Sequence, residues 1–298
     1  SPASSVATWT NNTPSIGLPA GPTTSTGINS FVAVNNTSAS VNANITVSTQ
    51  NGACPGNSVS FDYIVNPTPI VNPTNDTTLC EGQNTLQIDF AGNVAGASYD
   101  WQAIVPGNAT AIGMSSTNGS GSIPSFTTTN STSNQISAEI IVTPTANNCS
   151  GVNDTFLIIV NPTPVVNSIN DTTLCHNEFT NDIDFTSNIS GTSYSWTNNN
   201  TNIGLAANGT GSQIPSFQVS NTSNTTITST IIVTPSLNGC SGLSESFLIT
   251  VNPIPDVLPT NDTIYCSGNQ SINYIFDGFV LGASYNWSAN TVPNSASI

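Results

Sequence analysis

Few side chains in this chain could do chemistry. Six cysteines, one histidine and fifteen carboxylates are set in 298 residues without a single lysine or arginine. His176 follows a Thr-Leu-Cys run, and the same position after two sister cysteines holds Glu81 and Ser267, so it is no repeated ligand or base and reads as a solvated turn residue. No Cys-x-x-Cys pair occurs, which removes the common structural zinc spacings. Asp182 and Asp184 stand two apart, on one face of a strand if the segment is extended. Calcium needs several oxygen ligands, and a single acidic column recurs, at Asp76, Asp171 and Asp262. Glycoside hydrolysis needs two facing carboxylates, and these acids are sparse and do not repeat. The expectation is a protein with no catalytic, cofactor-binding or metal-binding residues, hence no enzyme.

What recurs is a block. Val65-Asn66-Pro67-Thr68-Pro69, Val160-Asn161-Pro162-Thr163-Pro164 and Val251-Asn252-Pro253-Ile254-Pro255 are each followed by Asn-Asp-Thr and then a cysteine, at Cys80, Cys175 and Cys266. A spacing of roughly 90 residues is too long for a solenoid unit and fits one small domain per repeat. The expected organisation is a partial repeat over 1–66, whole repeats over 67–161 and 162–252, and a partial repeat over 253–298. The opening at Ser1 in mid-repeat suggests a piece of something longer. Residues before proline are pushed towards extended conformations, so Asn-Pro-Thr-Pro predicts a short, stiff connector rather than a hairpin.

Composition narrows the function classes. A net charge of −15 with no cations offers no clamp for phosphate and repels nucleic acid and anionic membranes. Salt bridges and lysine-derived crosslinks are excluded, and trypsin-like proteases have no site to cut. Yet 36% of residues are hydrophobic, in short runs, which is enough apolar surface for a core. No run approaches the ~20 apolar residues of a membrane helix, so no membrane insertion is expected. Six cysteines at repeating positions suggest an oxidising compartment.

The elements that would position these groups read as strands. In the best copy they are Val165–Cys175, Ile183-Asp184-Phe185, Tyr194-Ser195-Trp196, Ile231-Ile232-Val233 and Phe247–Val251, with Ile203-Gly204-Leu205 and Ile214-Pro215-Ser216-Phe217 between them. Short strands with turn signals every 8–12 residues predict an all-β sandwich, in a tandem array. Trp9, Trp101, Trp196 and Trp287, one per repeat, are expected in the core.

The cysteines leave three pairings open. One is within the repeat, Cys80–Cys149 and Cys175–Cys240. A second is symmetric about the prolines, Cys54–Cys80, Cys149–Cys175 and Cys240–Cys266. The third spans a domain junction, Cys80–Cys240, because the turns after the first strand and before the last lie at opposite ends of a sandwich.

The ordered motifs Val-Asn-Pro-Thr-Pro, Thr-Leu-Cys, Tyr-Ser-Trp-Thr-Asn, Ile-Gly-Leu-Ala, Ile-Pro-Ser-Phe, Ile-Val-Thr-Pro and Asn-Gly-Cys-Ser-Gly, complete between Val160 and Val251, resemble the PKD-like repeats of Bacteroidota surface proteins. The resemblance implies Ig-like sandwiches within very long adhesins exported by the type IX system, such as the mobile adhesins of gliding flavobacteria. It implies an extracellular, outer-membrane-associated location, and as partners extracellular surfaces or polysaccharide and the secretion and motility machinery. Asp-Thr followed by Thr or Ile also matches that phylum's O-glycosylation sequence, implying glycans on Thr77, Thr172 and Thr263; the competing reading is an Asp capping a turn. The function expected is a structural and adhesive stalk. The alternatives are a repeated carbohydrate-binding module, which would need aromatics in a surface row, and a spacer of a secreted polysaccharide-active enzyme.

Overall fold

A computed structural model describes residues 6–21, 23–24, 27–104 and 109–289. Ser1 and residues 290–298, at the outer limits of the two expected partial repeats, lie outside them. The chain forms two compact units, Ser1–Pro162 and Thr163–Ile298.

The first unit opens with a four-stranded antiparallel sheet of β1 (Val6–Asn11), β2 (Thr23–Thr24), β3 (Val41–Asn51) and β4 (Cys54–Val65), in the order β2-β1-β3-β4. Trp9, Ile16, Leu18, Ala43 and Ile45 form its core. A complete domain follows: β5 (Thr77–Cys80), β6 (Ser98–Ile104), β7 (Asn118–Ser120), β8 (Ile136–Ala146), β9 (Cys149–Ser150) and β10 (Asp154–Asn161). Its main sheet runs β5-β10-β8-β6-β7, with β9 on β8. Short bridges at Val71–Gly92, Asn84–Thr127 and Ile88–Ile123 build the facing layer.

The second unit repeats this plan. It contains β11 (Thr172–Cys175), β12 (Ile183–Asp184), β13 (Ser193–Asn198), β14 (Asn208–Thr210), β15 (Gln213–Ile214), β16 (Ile227–Leu237), β17 (Cys240–Ser241) and β18 (Glu245–Asn252). The main sheet is β11-β18-β16-β13-β14 with β17 on β16, and β12-β15 supplies the second layer. Alternation sets the faces: in β13, Tyr194, Trp196 and Asn198 point inward while Ser193, Ser195 and Thr197 are exposed. This period of two is what a half-buried strand requires. Val166, Phe185, Ile203, Ile231, Phe247 and Ile249 join Trp196 in the core. The only helical segments among the described residues are single 3-10 turns at Pro14–Ile16, Ala109–Ile112 and Thr201–Ile203. The expected all-β tandem array of sandwiches is the fold.

In each complete domain the first strand pairs with the last, and in parallel. Ile158 stands opposite Thr77 and Asn161 opposite Cys80; Ile249 stands opposite Thr172 and Asn252 opposite Cys175. That first strand is shorter than expected: Val165–Cys175 is a strand only over Thr172–Cys175, with Val166 held by one bridge to Ser187. Pro162, Pro164 and the preceding Asn161 are buried, and proline has no amide to offer a ladder, so regular pairing cannot begin until the chain has left this block.

Residues 253–289 form no strand. Trp287 is 68% exposed, whereas Trp9, Trp101 and Trp196 are 6–7% exposed. Burial of the fourth tryptophan therefore does not hold. Val142 and Val233 stand opposite Trp101 and Trp196 on neighbouring strands, and no strand plays that part for Trp287 among the described residues.

Candidate functional site: the joint of the repeat

The repeated block is fastened by three kinds of contact, two to the repeat it closes and one to the repeat it opens. First, its valine carbonyl accepts a hydrogen bond from an asparagine amide thirty residues earlier: Asn35 to Val65 at 2.7 Å, Asn130 to Val160 at 2.9 Å and Asn221 to Val251 at 2.7 Å. Each amide also donates to a second carbonyl four residues on, at Ala39, Asn134 and Thr225. Asn130 and Asn221 are buried, where an unpaired amide would cost the most. Second, the block's asparagine accepts from a residue just before the next long strand, Ser40 to Asn66, Gln135 to Asn161 and Thr226 to Asn252. Third, the chain after the prolines is held from the side, with the amides of Ile70 and Val165 donating to Asn93 and Asn188, both at 2.8 Å. Asn66 also donates to the Asn147 carbonyl of the following domain's hairpin at 3.1 Å.

Asn35, Asn130 and Asn221 carry no distinguishing mark in the sequence. All three begin Asn-x-Ser/Thr triplets, a pattern so frequent in this asparagine- and threonine-rich chain that it carries no signal. The Thr or Ser two residues on, at 37, 132 and 223, donates to the same asparagine oxygen at 2.7 Å. The recurrence of that triplet at a fixed distance before each Val-Asn-Pro was the available clue.

The Asp-Thr column clasps the domain edge. Asp76 Oδ1 accepts the Leu157 amide at 2.8 Å and Asp171 Oδ1 the Leu248 amide at 2.7 Å. Both acids extend the parallel first-to-last pairing by one bond beyond the strand. Thr77 is exposed and Thr172 half-buried in their strands; Thr263 is exposed and its hydroxyl contacts Tyr274. Thr77 lines a cleft of about 230 Å³ with Leu79, Thr85, Leu86 and Ile158.

Cys80 and Cys240 are disulfide-bonded, and Cys54, Cys149, Cys175 and Cys266 carry free thiols. The within-repeat and proline-centred sets both require Cys149 and Cys175, so neither forms. Strand register gives the reason for the first. Cys80 is level with the Ile136 end of β8 and Cys149 with the Ala146 end. That 11-residue strand separates them by roughly 30 Å, against the ~7 Å limit for a disulfide.

Three further titratable groups are engaged in the fold. His176 is half-buried rather than a solvated turn residue, because its Nδ1 accepts the Asn221 amide at 2.8 Å and so supports the asparagine lock. Asp182 accepts the Ser216 amide at 2.7 Å. The Asn44 and then the Asn42 amide hold the exposed Asp62 carboxyl below the usual carboxylate range. Among the described residues no group of three or more His, Cys, Asp or Glu could hold a metal ion. The cleft beside Trp101, about 220 Å³, is walled by Met114, Gly119, Ile123 and Phe126, and the indole itself is buried, so it offers no stacking face.

The PKD-like domain model matches residues 77–164 and 172–255, together more than half of the chain. The chain belongs to the PKD-like domain family. No curated protein sequence matches it. Among solved structures, it is similar to the titin I-band fragment I67–I69 at 10% identity, covering 85% of this chain and 89% of that one with a TM-score of 0.43. Mouse cadherin-23 EC22–24 aligns at 11% identity over 83% of this chain and 86% of that one, with a TM-score of 0.32. PKD-like repeats are typically non-catalytic and typical of adhesive or extracellular stalk regions. No helix among the described residues is long and apolar enough to cross a membrane.

Proposed function

We propose that this chain is a non-enzymatic, load-bearing stalk segment of a long secreted bacterial cell-surface adhesin, of the kind the motif resemblance implies for type IX-exported and gliding-motility adhesins. The observation that carries the reading is the joint. The same asparagine lock recurs in three repeats and the same aspartate clasp in two, while no titratable constellation recurs. The parallel pairing of first and last strands supports a mechanical role. Tension applied through the two ends of a domain loads those backbone bonds in shear, so they break together rather than one at a time.

Within this reading Thr77 and Thr172, on the first strand of their repeats, and Thr263, at the equivalent position of the third copy, carry O-linked glycans. Intact mass of protein recovered from its native cell tests this: the bare polypeptide mass would remove the glycans from the proposal.

Single-molecule stretching of the reduced chain tests the stalk itself. Two unfolding peaks are expected, each releasing about 30 nm, the contour of a domain of this size at ~3.5 Å per residue. Extension without peaks, together with saturable binding on a glycan array, would replace the stalk by a carbohydrate-binding module.

A further inference from the structure

We infer that the domain built on Trp101 holds a binding site for the acetamido group of a neutral N-acetylated sugar, in the cleft between β7 and the segment that carries Met114. The argument starts from an unpaired donor. Trp101 is 6% exposed, and its indole Nε1 has no hydrogen-bond partner among the described residues. A buried donor left alone is costly. The ring edge that carries Nε1 lies against Gly119, where a Cβ would stand 3.0 Å from that nitrogen. Gly119 and Trp101 both line the cleft of about 220 Å³.

Two differences from the sister repeats open this site. In both sisters the residue two after the tryptophan is a buried asparagine. Its amide donates to the leucine carbonyl of Ile-Gly-Leu, Asn11 to Leu18 at 2.7 Å and Asn198 to Leu205 at 2.9 Å. Trp9 Nε1 is unpartnered too, but there the Asn11 amide ties the segment down. In the middle repeat the position is Ala103, which has no amide to give. The segment itself reads Ile-Gly-Met-Ser-Ser over 112–116, where the next repeat has Ile-Gly-Leu-Ala-Ala over 203–207. The cleft thus combines Ser115, Ser120 and Ser122 with the apolar Met114, Ile123 and Phe126.

These features select the ligand. The indole asks for an acceptor oxygen and the apolar walls for a methyl beside it, and an acetamido group carries both on one carbonyl carbon. The chain has no lysine or arginine to hold an anion, so the sugar is neutral. The volume lies below the roughly 300–1,000 Å³ of sites that enclose a drug-sized ligand, so a single sugar residue enters. A second cleft of about 530 Å³ shares Trp101, Gly119 and Ser120 and adds Asp100, Gln102 and Asn118. Their amide and carboxylate groups suit the hydroxyls of the sugar residues that follow. The inference gives the proposed stalk a ligand. Stretching and sugar binding are separate measurements, so either can fail alone.

The test is an NMR titration of the full chain, labelled at methionine methyl and tryptophan indole positions, with N-acetylglucosamine. Met114 is the only methionine in the sequence, so one methyl signal reports on the cleft. That signal and the Trp101 indole should shift along one saturable curve while Trp196 stays still. A dissociation constant on the order of 1 mM is expected for so small a ligand. Trp101→Phe identifies the indole signal and should weaken binding about fivefold at the Met114 methyl, the loss of one neutral hydrogen bond. Ala103→Asn should restore the tie and remove the response. Ser115→Ala combined with Ser120→Ala changes only exposed positions, so it should keep the melting temperature and weaken binding at least about twofold. The inference is overturned by a Met114 methyl unmoved at about 50 mM sugar, far above that constant. An equal response to glucose, or binding unchanged in both the Trp101→Phe and the double serine variant, would overturn it as well.

Discussion

The carbonyl oxygen of Pro69 lies 1.8 Å from where a Cβ on Gly151 would stand, and that of Pro164 lies 1.7 Å from the same point on Gly242. The second proline of the first two blocks is thus packed against the glycine two residues after the hairpin cysteine, at the opposite end of the domain's sequence. Real Cβ atoms do not approach backbone this closely, so something must move. Gly151→Ala and Gly242→Ala are each expected to cost about 1–3 kcal/mol, the usual range for overpacking, read as a shift in urea midpoint. Gly121→Ala, which meets open space but sits at φ +80, separates backbone strain from steric displacement and should cost less.

The asparagine lock gives a second prediction. Asn130→Ala or Asn221→Ala leaves the carbonyls of Val160 or Val251 without their side-chain donor in a buried setting. A loss of about 1–3 kcal/mol is expected for each, confined to the domain that carries the change. Separate melting transitions for the two domains would show that confinement, and equal losses in both would contradict it.

A third concerns the hairpins that precede the last strand. Both turn residues take positive φ, Asn147 (48°) and Asn148 (61°) in one domain, Asn238 (49°) and Gly239 (80°) in the other. Asn-Gly suits that geometry better than Asn-Asn. Asn148→Gly should therefore stabilise its domain by about 0.5–1 kcal/mol, measured as a rise in its melting temperature, and Gly239→Asn should do the reverse.

The thiols can be counted. A maleimide reagent should label four cysteines in the native chain and six after reduction and unfolding, with the peptides bearing Cys80 and Cys240 unlabelled in the first case. Labelling of Cys80 or Cys240 before reduction would contradict the assignment.

Much of this architecture was legible because it repeats. Strand positions, core tryptophans at 101 and 196 and the all-β class follow from apolar alternation and from three copies of the same punctuation. What the residues could not show was local and cooperative. The asparagine lock hid inside a triplet too common to notice. His176 looked solvated because its partner is a backbone amide 45 residues away, and no side-chain pattern announces that. Trp287 repeats the motif of the buried tryptophans, but its exposure is set by its surroundings, where no strand lies opposite it among the described residues. The within-repeat pairing stayed open because spacing gives no distance between the two turns, whereas strand register puts Cys80 and Cys149 at opposite ends of β8.

The parallel pairing of first and last strands also constrains the order of events when a domain forms. The segment at Thr77–Cys80 leaves the ribosome well ahead of Ile158–Asn161, and the antiparallel pairing of β6 with β8 can close in between. Until the last strand arrives, the Asp-Thr-Thr-Leu segment has no ladder to join. Each repeat therefore completes itself in one late step, at the moment its own Val-Asn-Pro block emerges, and a chain threaded out N-terminus first would finish one domain before the next can compete for its edge.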